Sequence, residues 1–230
     1  MQPGFLRARR PDQKSQRRES ILAAARQLAV RSGVSQVSLG NVATAVGLAK
    51  SNVLRYFATR EEIYLQLTMT EGDRWAAALG ERLQRARGMH EAVDALAETL
   101  AAEPLYCDLT THMMTSLEVN ASVPALRTFK QWNLAMHARI GGQLATAWPE
   151  LAPREGSALV MAAAAYVARL YPLTRPTPAL TQLYAENPEI AAAFPPFPAT
   201  LRHMLAATAA GLPLVRRPGA PTGDPPAPAR

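Results

Sequence analysis

The chain has 230 residues, of which 48% are hydrophobic and 19% charged, so it can bury a sizeable core and is not wholly disordered. The longest apolar run, residues 159–168, is about half as long as a membrane-spanning helix, and the N-terminal segment lacks the apolar centre of a secretory signal. These features predict no membrane partner. The single cysteine, Cys107, excludes an internal disulfide framework and a cysteine-based zinc cluster, and it favours a cytoplasmic location.

The positive charge is concentrated at one end of the chain. The formal net charge is +7, but residues 1–60 carry +9 and the remainder carries −2. Such asymmetry favours a nucleic acid or an anionic membrane as the partner of the first quarter alone. A merely solvated basic tail is the alternative.

Helical periodicity recurs along the chain and alternating strand patterns are almost absent, so the sequence predicts an all-α fold. We expect a three-helix, helix-turn-helix DNA-binding domain followed by a larger helical domain for ligand binding and dimerisation, with about nine helices or more in total. The predicted divisions are a flexible basic arm (1–15), the DNA-binding domain (16–63), the effector-binding and dimerisation domain (64–212) and a disordered, proline-rich tail (213–230).

The first helix is predicted from about Gln16 to Ser32, with Gly33 as its left-handed terminator. Its buried face would carry Ile21, Ala25, Leu28 and Ala29.

Two short helices then follow. Ser38 is the predicted N-cap of the second helix, and Gly47 is expected to end it. A third helix from Lys50 to Phe57 would place Val53 and Phe57 inward. A fourth helix is expected to begin at Thr59, with Glu62 completing a capping box and with Ile63 and Leu67 buried.

Two short helices joined by a tight turn that begins with glycine are typical of a helix-turn-helix, whose second helix enters the major groove of DNA. The outer face of the third helix carries side chains that hydrogen-bond to base edges and phosphates. A solvated helix face is the alternative for these residues, and a salt bridge to a neighbouring glutamate is the alternative for Arg60. The predicted DNA-binding residues are Ser38, Lys50, Ser51, Asn52, Arg55, Tyr56 and Arg60.

The stretches ILAAARQLAVRSGVSQVSLGNVATAVGLAKSN and VLRYFATREEIY, from about Ile21 to Leu67, resemble the N-terminal domain of TetR-type (AcrR-like) transcriptional regulators. The resemblance implies a DNA-binding regulator whose larger domain forms a homodimer and holds a ligand cavity. It also implies that Phe57 is a core residue beneath the recognition helix and that Arg60, in place of the usual lysine, reaches a phosphate. The chain departs from the family at Ala49, where a capping serine is usual, and at Leu54, where a tyrosine is usual.

Further helices are predicted at Glu71–Arg85, Met89–Ala102, Leu105–Val119, Val123–Ala147, Glu155–Leu170, Ala179–Ala185 and Ala199–Gly211. The segment from Glu155 to Leu170 is apolar nearly all round, which requires burial on most sides. We expect it to pair with the last helix across a two-fold axis, although a central helix within one subunit is the alternative. The predicted dimer interface comprises Leu159, Ala163, Ala164, Val167, Leu201, Met204, Leu205 and Thr208.

The middle helices carry aromatic, histidine and methionine side chains that suit either an amphipathic cavity or an ordinary core. Gly141 and Gly142, inside a helical pattern, indicate either a kink beside a pocket or a close helix crossing. The proline-rich segment 171–198 is expected to cover the pocket or to wrap around a dimer partner. The candidate ligand-binding residues are Tyr106, His112, Met113, Trp132, Met136, His137 and Tyr166.

No histidine spacing typical of metal ligands and no nucleophile or phosphate-binding motif is present, so the sequence predicts neither an enzyme nor a cofactor. The expected function is a repressor that an unknown small apolar or amphipathic ligand releases from a palindromic operator. A ligand-independent DNA-binding or architectural protein is the main alternative, and a helical enzyme is a remote one. The sequence specifies neither the effector nor the operator, and it leaves activation open.

Overall fold

The computed structural model describes residues 5–193 and 196–216. Over these ranges the chain is all-α, without a strand, and it forms eleven α-helices joined by short turns, with one π-helical turn at Met113–Leu117. The helices are α1 (Phe5–Ser32), α2 (Leu39–Ala45), α3 (Lys50–Val53), α4 (Arg60–Leu83), α5 (Gly88–Ala101), α6 (Pro104–Thr111), α7 (Val123–Ala147), α8 (Pro153–Leu170), α9 (Pro178–Glu186), α10 (Pro188–Ala192) and α11 (Phe197–Gly211).

A small core joins α1, α2, α3 and the start of α4. Ile21, Val42, Val53 and Ile63 are completely buried there, and Phe57 is nearly so, as the spacing of apolar residues predicts. Leu28 is only half-buried. The chain turns away after α1 at Gly33, whose φ of 86° is in the region that favours glycine, although its ψ of 151° is not that of the predicted left-handed terminator.

The first helix begins at Phe5, earlier than predicted, so residues 5–15 are helical where the sequence predicts a flexible arm. At the other end of the chain, Pro213–Val215 forms a single 3-10 turn, and the Arg216 guanidinium pairs with the Glu155 carboxylate. The rest of the predicted proline-rich tail, 217–230, lies outside the described residues.

Helix α6 belongs to both cores of the molecule. Leu105 and Leu109 point into the N-terminal core, whereas Tyr106 and Cys107 point into the large core formed by α4, α5, α7, α8 and α11. The predicted helix Leu105–Val119 is interrupted, because α6 ends at Thr111 and the π-helical turn follows. A rotation or shift of α6 would therefore disturb both cores at once.

In the larger domain, α7 and α8 cross with their backbones almost touching. A Cβ placed on Gly156 would lie 2.5 Å from the Gly141 carbonyl oxygen, and one placed on Gly141 would lie 2.6 Å from the Pro153 carbonyl oxygen. Both distances are shorter than any side chain tolerates, so the close helix crossing is confirmed as the reason for Gly141. Helix α7 runs unbroken from Val123 to Ala147 through both glycines.

Other predicted elements differ in extent. The predicted helix Glu71–Arg85 is the second half of the continuous α4, and α10 has no counterpart in the sequence prediction. The segment Pro153–Thr174 is long and apolar enough to cross a membrane by length and composition. One face of it, carrying Leu159, Val160 and Ala163, is buried against the protein.

Candidate DNA-binding surface and effector region

The turn between α2 and α3 is built as the sequence predicts. The Ser38 hydroxyl accepts a hydrogen bond from the Asn41 backbone N–H at 3.2 Å and so caps α2. At the other end of α2, Gly47 adopts a φ of 65°, and the Leu48 N–H donates to the Ala43 carbonyl at 2.9 Å. Helix α3 has no side-chain cap, because Ala49 occupies that position.

Helix α3 is buried on one side and polar on the other. Val53 is buried, as is Phe57 just after the helix, whereas the predicted contact residues of the opposite face are open to solvent. The α-helix itself covers only Lys50–Val53, and a looser turn carries the chain on to Phe57. The exposed members of the predicted set are Lys50, Ser51, Asn52 and Arg55, while Tyr56 is half-buried.

Helix α1 contributes directly to this surface. The Arg18 Nη1 donates to the Tyr56 carbonyl oxygen at 2.6 Å, and the guanidinium carbon lies 4.0 Å from the centre of the Phe57 ring. Arg18 thus fixes the end of α3 and its following turn (residues 50–57), which we call the recognition segment. Its position within a basic run does not indicate this role.

An open cleft of about 710 Å³ lies between α1 and the recognition segment. The cleft brings three cationic side chains together and has no carboxylate in its lining, so it attracts anions. Its lining residues are Gln13, Lys14, Gln16, Arg17, Ser20, Arg55 and Tyr56.

Arg60 does not point outward as the prediction requires. Its Nε donates to the Val37 carbonyl oxygen at 2.5 Å, its Nη2 donates to the Val34 carbonyl oxygen, and its Nη1 lies 3.0 Å from the Glu61 carboxylate. The guanidinium thus ties the start of α4 to the turn before α2, and the salt bridge considered as the alternative is present. The guanidinium is therefore occupied within its own chain, and a contact of Arg60 with a DNA phosphate stays a prediction.

A buried carboxylate connects the two domains at the same turn. Asp108 Oδ2 of α6 accepts a hydrogen bond from the Val34 backbone N–H at 2.8 Å. His112 Nε2 lies 3.5 Å from Oδ1, and Arg175 Nη1 lies 3.7 Å from Oδ2. Burial alone would raise the pKa of Asp108, but these donors and charges together hold it below its usual range. Asp108 therefore accepts a hydrogen bond from the Val34 N–H, and Arg60 donates one to the Val34 carbonyl, so charged side chains hold both backbone groups of this residue.

A second carboxylate links the domains at the start of α4. The Thr59 hydroxyl accepts from the Glu62 N–H at 3.2 Å, as predicted, but the Glu62 carboxylate accepts from the Ala58 N–H instead of completing the capping box at Thr59. Its other oxygen accepts hydrogen bonds from the backbone and hydroxyl of Ser122 at the start of α7. Burial opposes ionisation, but these bonds outweigh it and lower the pKa of Glu62.

The predicted ligand-binding residues do not meet in one cavity. Tyr106 and His137 line a void of about 10 Å³ among α4, α5, α6, α7 and α8, which is about the room needed for one water molecule. Tyr106 stacks on Trp75 at a centroid distance of 5.2 Å, and burial raises its pKa. Burial lowers the pKa of His137. A larger, mainly apolar cleft of about 440 Å³ lies elsewhere, lined by Ala101, Leu170, Tyr171, Leu173, Thr174, Pro196, Phe197, Pro198 and Thr200.

The remaining candidates have other positions. Met136 is buried in the large core, and the Trp132 indole donates to the Asp73 carboxylate at 3.0 Å. The Tyr166 hydroxyl shares a hydrogen bond of 2.7 Å with Thr208. His112 and Met113 lie at the end of α6 and are half-buried, outside the linings of both cavities.

Most of the predicted dimer interface is buried within one chain. Five of its residues are fully buried within a single chain and so cannot contact a second copy: Leu159, Ala163, Val167, Leu201 and Leu205. Ala164, Met204 and Thr208 are half-buried. The sequence of α8 is apolar nearly all round, so it did not indicate which side packs against α7. The exposed sides instead carry Met161, Ala165, Ala207 and Ala210.

No group of three or more histidine, cysteine, aspartate or glutamate side chains that could hold a metal ion is found in the described part of the chain.

Several solved structures have a similar fold. The structure resembles a putative transcriptional regulator from Rhodococcus sp. RHA1 (11% identity, TM-score 0.58, 86% of this chain and 95% of that one). It also resembles FadR from Thermus thermophilus, a TetR-family repressor solved with lauroyl-CoA, at 18% identity and a TM-score of 0.53 over 90% of this chain and 100% of that one. A third similar structure is the fatty acid degradation regulator FadR from Bacillus halodurans, at 14% identity and a TM-score of 0.51 over 86% of this chain and 99% of that one.

No curated protein sequence matches the chain. Two family models do: residues 21–67 match the bacterial regulatory proteins of the tetR family, and residues 69–216 match the tetracyclin repressor-like C-terminal domain. Together with the exposed polar face of α3, these matches show that the chain belongs to the TetR family of DNA-binding transcriptional regulators.

Proposed function

We propose that the protein acts as a cytoplasmic homodimer, not as an enzyme, that places two copies of α3 in successive major grooves of a palindromic operator. The observation that carries the proposal is the outer side of α3 and of the turn after it, where Lys50, Ser51, Asn52 and Arg55 are exposed and Val53 is buried beneath them. Two α3 helices related by a two-fold axis match two operator half-sites about 34 Å apart.

The proposed contacts divide into two groups. Asn52 and Arg55 carry the side-chain types that hydrogen-bond to adenine and guanine edges, and we assign them to base recognition together with Lys50 and Ser51. The cleft beside them, with Lys14, Arg17 and Tyr56, is assigned to the phosphate backbone because it has no carboxylate to oppose an anion. Ser38 remains a candidate phosphate contact, since its capping hydroxyl is exposed.

We place the dimer contact on the exposed sides of α8 and α11, which we call the α8–α11 face. Met161 is 62% exposed there, and the neighbours at helical spacing include Ala158, Ala164 and Ala165. Small side chains allow the helices of two subunits to approach closely. Burying this face in a dimer removes apolar area from water, which stabilises the dimer by about 25 cal/mol for each Å² buried.

Repression with release by a small apolar or amphipathic ligand is the finer proposal. It is supported by α6, whose opposite sides lie in the two cores, and by the Thermus thermophilus FadR structure, which was solved with lauroyl-CoA. The void of about 10 Å³ has no room for such a ligand, so α6, α7 and α8 would have to move apart to admit one there, whereas the mainly apolar cleft of about 440 Å³ is already open. The ligand would act only by binding the opened and closed states unequally. The small void also favours the second candidate, a ligand-independent DNA-binding protein.

The test of DNA reading begins by selecting bound duplexes from fragmented genomic DNA with the purified protein. We expect the Lys50→Ala, Arg55→Ala double variant to bind the selected duplex at least tenfold more weakly, because a base contact contributes about 1–3 kcal/mol. Its thermal melting should be unchanged, since both side chains are exposed. Arg85→Ala, an exposed arginine in the larger domain, is the control and should bind normally. Equal binding by the double variant would refute the proposed surface.

A further inference from the structure

Helices α9 and α10, which we call the arm (residues 178–192), pack little against the rest of the chain. Neither helix contains a buried residue. Leu180 and Leu183 are 38% exposed and Ile190 is 37% exposed, so three large apolar side chains remain partly in water. More than a third of each of these side chains stays in water, so another surface would bury them more completely.

The arm joins the two helices that form the α8–α11 face. It leaves the 3-10 turn Tyr171–Thr174 after α8 and returns to α11 at Phe197. Its base is anchored by Arg175, which lies 3.7 Å from Asp108, and by the Tyr171 ring, which packs edge-on against Phe197. A helix of the length of α9 extends about 14 Å, which exceeds the spacing of about 10 Å between packed helices. The arm is therefore long enough to cross a neighbouring helix of a second subunit.

The charges of the arm and of the α8–α11 face are opposite. Residues 176–193 contain Glu186 and Glu189 and no lysine or arginine. The exposed side of α8 carries Arg154 and Arg169. An acidic arm is attracted to this basic surface and repelled by another acidic arm, which favours one orientation of the two subunits.

We propose that the arm of each subunit packs across the α8–α11 face of a second copy, burying Leu180, Leu183 and Ile190 and placing Glu186 and Glu189 near the basic side chains. Because the two-fold axis repeats the contact, the dimer contains two such arms, each packed on the other subunit. This inference rests on the proposed homodimer, but it adds a contact that the homodimer does not require.

Cross-linking between differently tagged subunits tests the contact directly. An Ala185→Cys chain carries its thiol on the arm, and an Ala207→Cys chain carries it on α11. Cys107 is buried, and burial raises its pKa to about 12, so it does not compete for a maleimide. A short bis-maleimide should join the two tags in co-expressed full-length chains. The control pair, Ser32→Cys with Ala207→Cys, should give little mixed product. Absence of mixed product from the arm pair above this control would overturn the inference.

Sedimentation of two variants separates the arm from the dimer. Leu183→Asp, Ile190→Asp alters only exposed arm residues, so the subunit should stay folded while the dimer dissociation constant rises at least tenfold. Met161→Asp alters the face itself and should give monomers. If Met161→Asp dissociates the dimer and the arm variant does not, the arm inference fails and the homodimer stands. If neither variant weakens the dimer, the α8–α11 face is wrong and the arm inference fails with it.

Discussion

The two ends of the molecule are held together by different forces. The DNA-binding end consists of short helices around a small core, and ionised side chains fix its orientation: Arg18 on Tyr56, Arg60 on Val34 and Val37, Asp108 on Val34, and Glu62 on Ala58 and Ser122. The α7–α8 crossing is fixed by steric fit, with Gly141 against Gly156 and buried apolar side chains around them.

This difference has a mechanical consequence. A close-packed crossing tolerates almost no displacement, because small changes in volume cost free energy steeply. The hydrogen bonds of Arg18, Arg60 and Glu62 are at most part-buried, so they can be exchanged for water at lower cost than the buried bond of Asp108. For the proposed regulator, this division would let the larger domain keep its shape while the DNA-binding domain changes its angle. The four predictions below test it, from the largest expected effect to the smallest.

Gly156→Val should lower the free energy of unfolding by about 3 kcal/mol, because its side chain would collide with the Gly141 backbone on α7. Gly142→Ala is the matched control. A Cβ at Gly142 meets nothing within 4 Å, and alanine is favoured in a helix by about 1 kcal/mol, so this variant should be as stable as the parent or more stable. Urea unfolding of the three proteins measures the difference. A Gly156→Val protein of parental stability would show that steric fit does not fix this crossing.

Asp108→Ala should lower the free energy of unfolding by about 2 kcal/mol, because the buried Val34 N–H loses its acceptor. It should also alter operator affinity, since this bond positions the turn before α2. Asp94→Ala, which breaks an exposed ion pair of 3.8 Å with Arg202, should cost less than about 1 kcal/mol. The expected order would be contradicted if both aspartate variants had equal effects in denaturant titrations.

The contribution of Asp108 depends on pH in a defined direction. Its pKa is lower in the folded protein than its ordinary value near 4, so folding favours the ionised form. The stabilisation is therefore complete above pH about 5 and is lost as the pH falls through the lowered pKa. The stability gap between the parent and Asp108→Asn should shrink over that acidic interval, and a gap that widens there would refute the assigned charge state.

Thr59→Ala should cost about 1 kcal/mol, because α4 loses the cap that holds the Glu62 N–H. Thr177→Ala removes the equivalent cap of α9, whose hydroxyl accepts from the Leu180 N–H at 3.3 Å. Since α9 contains no buried residue, this second change should leave thermal melting of the separated subunit almost unaffected. Comparable losses from both variants would indicate that the arm is part of the cooperative core.

The elements near the N-terminus were predictable because their signals are local. Ser38, Gly47 and Thr59 mark helix ends through contacts with residues at most a few positions away, and the spacing of Val53 and Phe57 separates the inner from the outer side. The sequence does not indicate the partners of Arg60, because its acceptors, the Val34 and Val37 carbonyls, belong to another part of the chain. Asp108 gave no signal for the same reason, as 74 positions separate it from Val34.

The larger domain shows where periodicity stops being informative. In α8, alanines occupy every side, so the pattern predicts a buried helix without saying which side meets α7 and which remains open to a partner. The pattern therefore assigns Leu159 and Val167 to a dimer interface, whereas the structure buries both in the core of one chain. The ligand prediction met the same limit, because Tyr106 and Trp132 suit a cavity and a packed core equally well.

The sequence by itself determined an all-helical chain, a basic helix-turn-helix at one end, its caps and its buried side, because these depend on residue spacing and on contacts within a few positions. Only the tertiary structure decided which side of α8 is exposed, how little space the large core leaves, and how Asp108 and Arg60 together hold Val34. These features depend on distant segments packing against one another, and neither periodicity nor composition records that information.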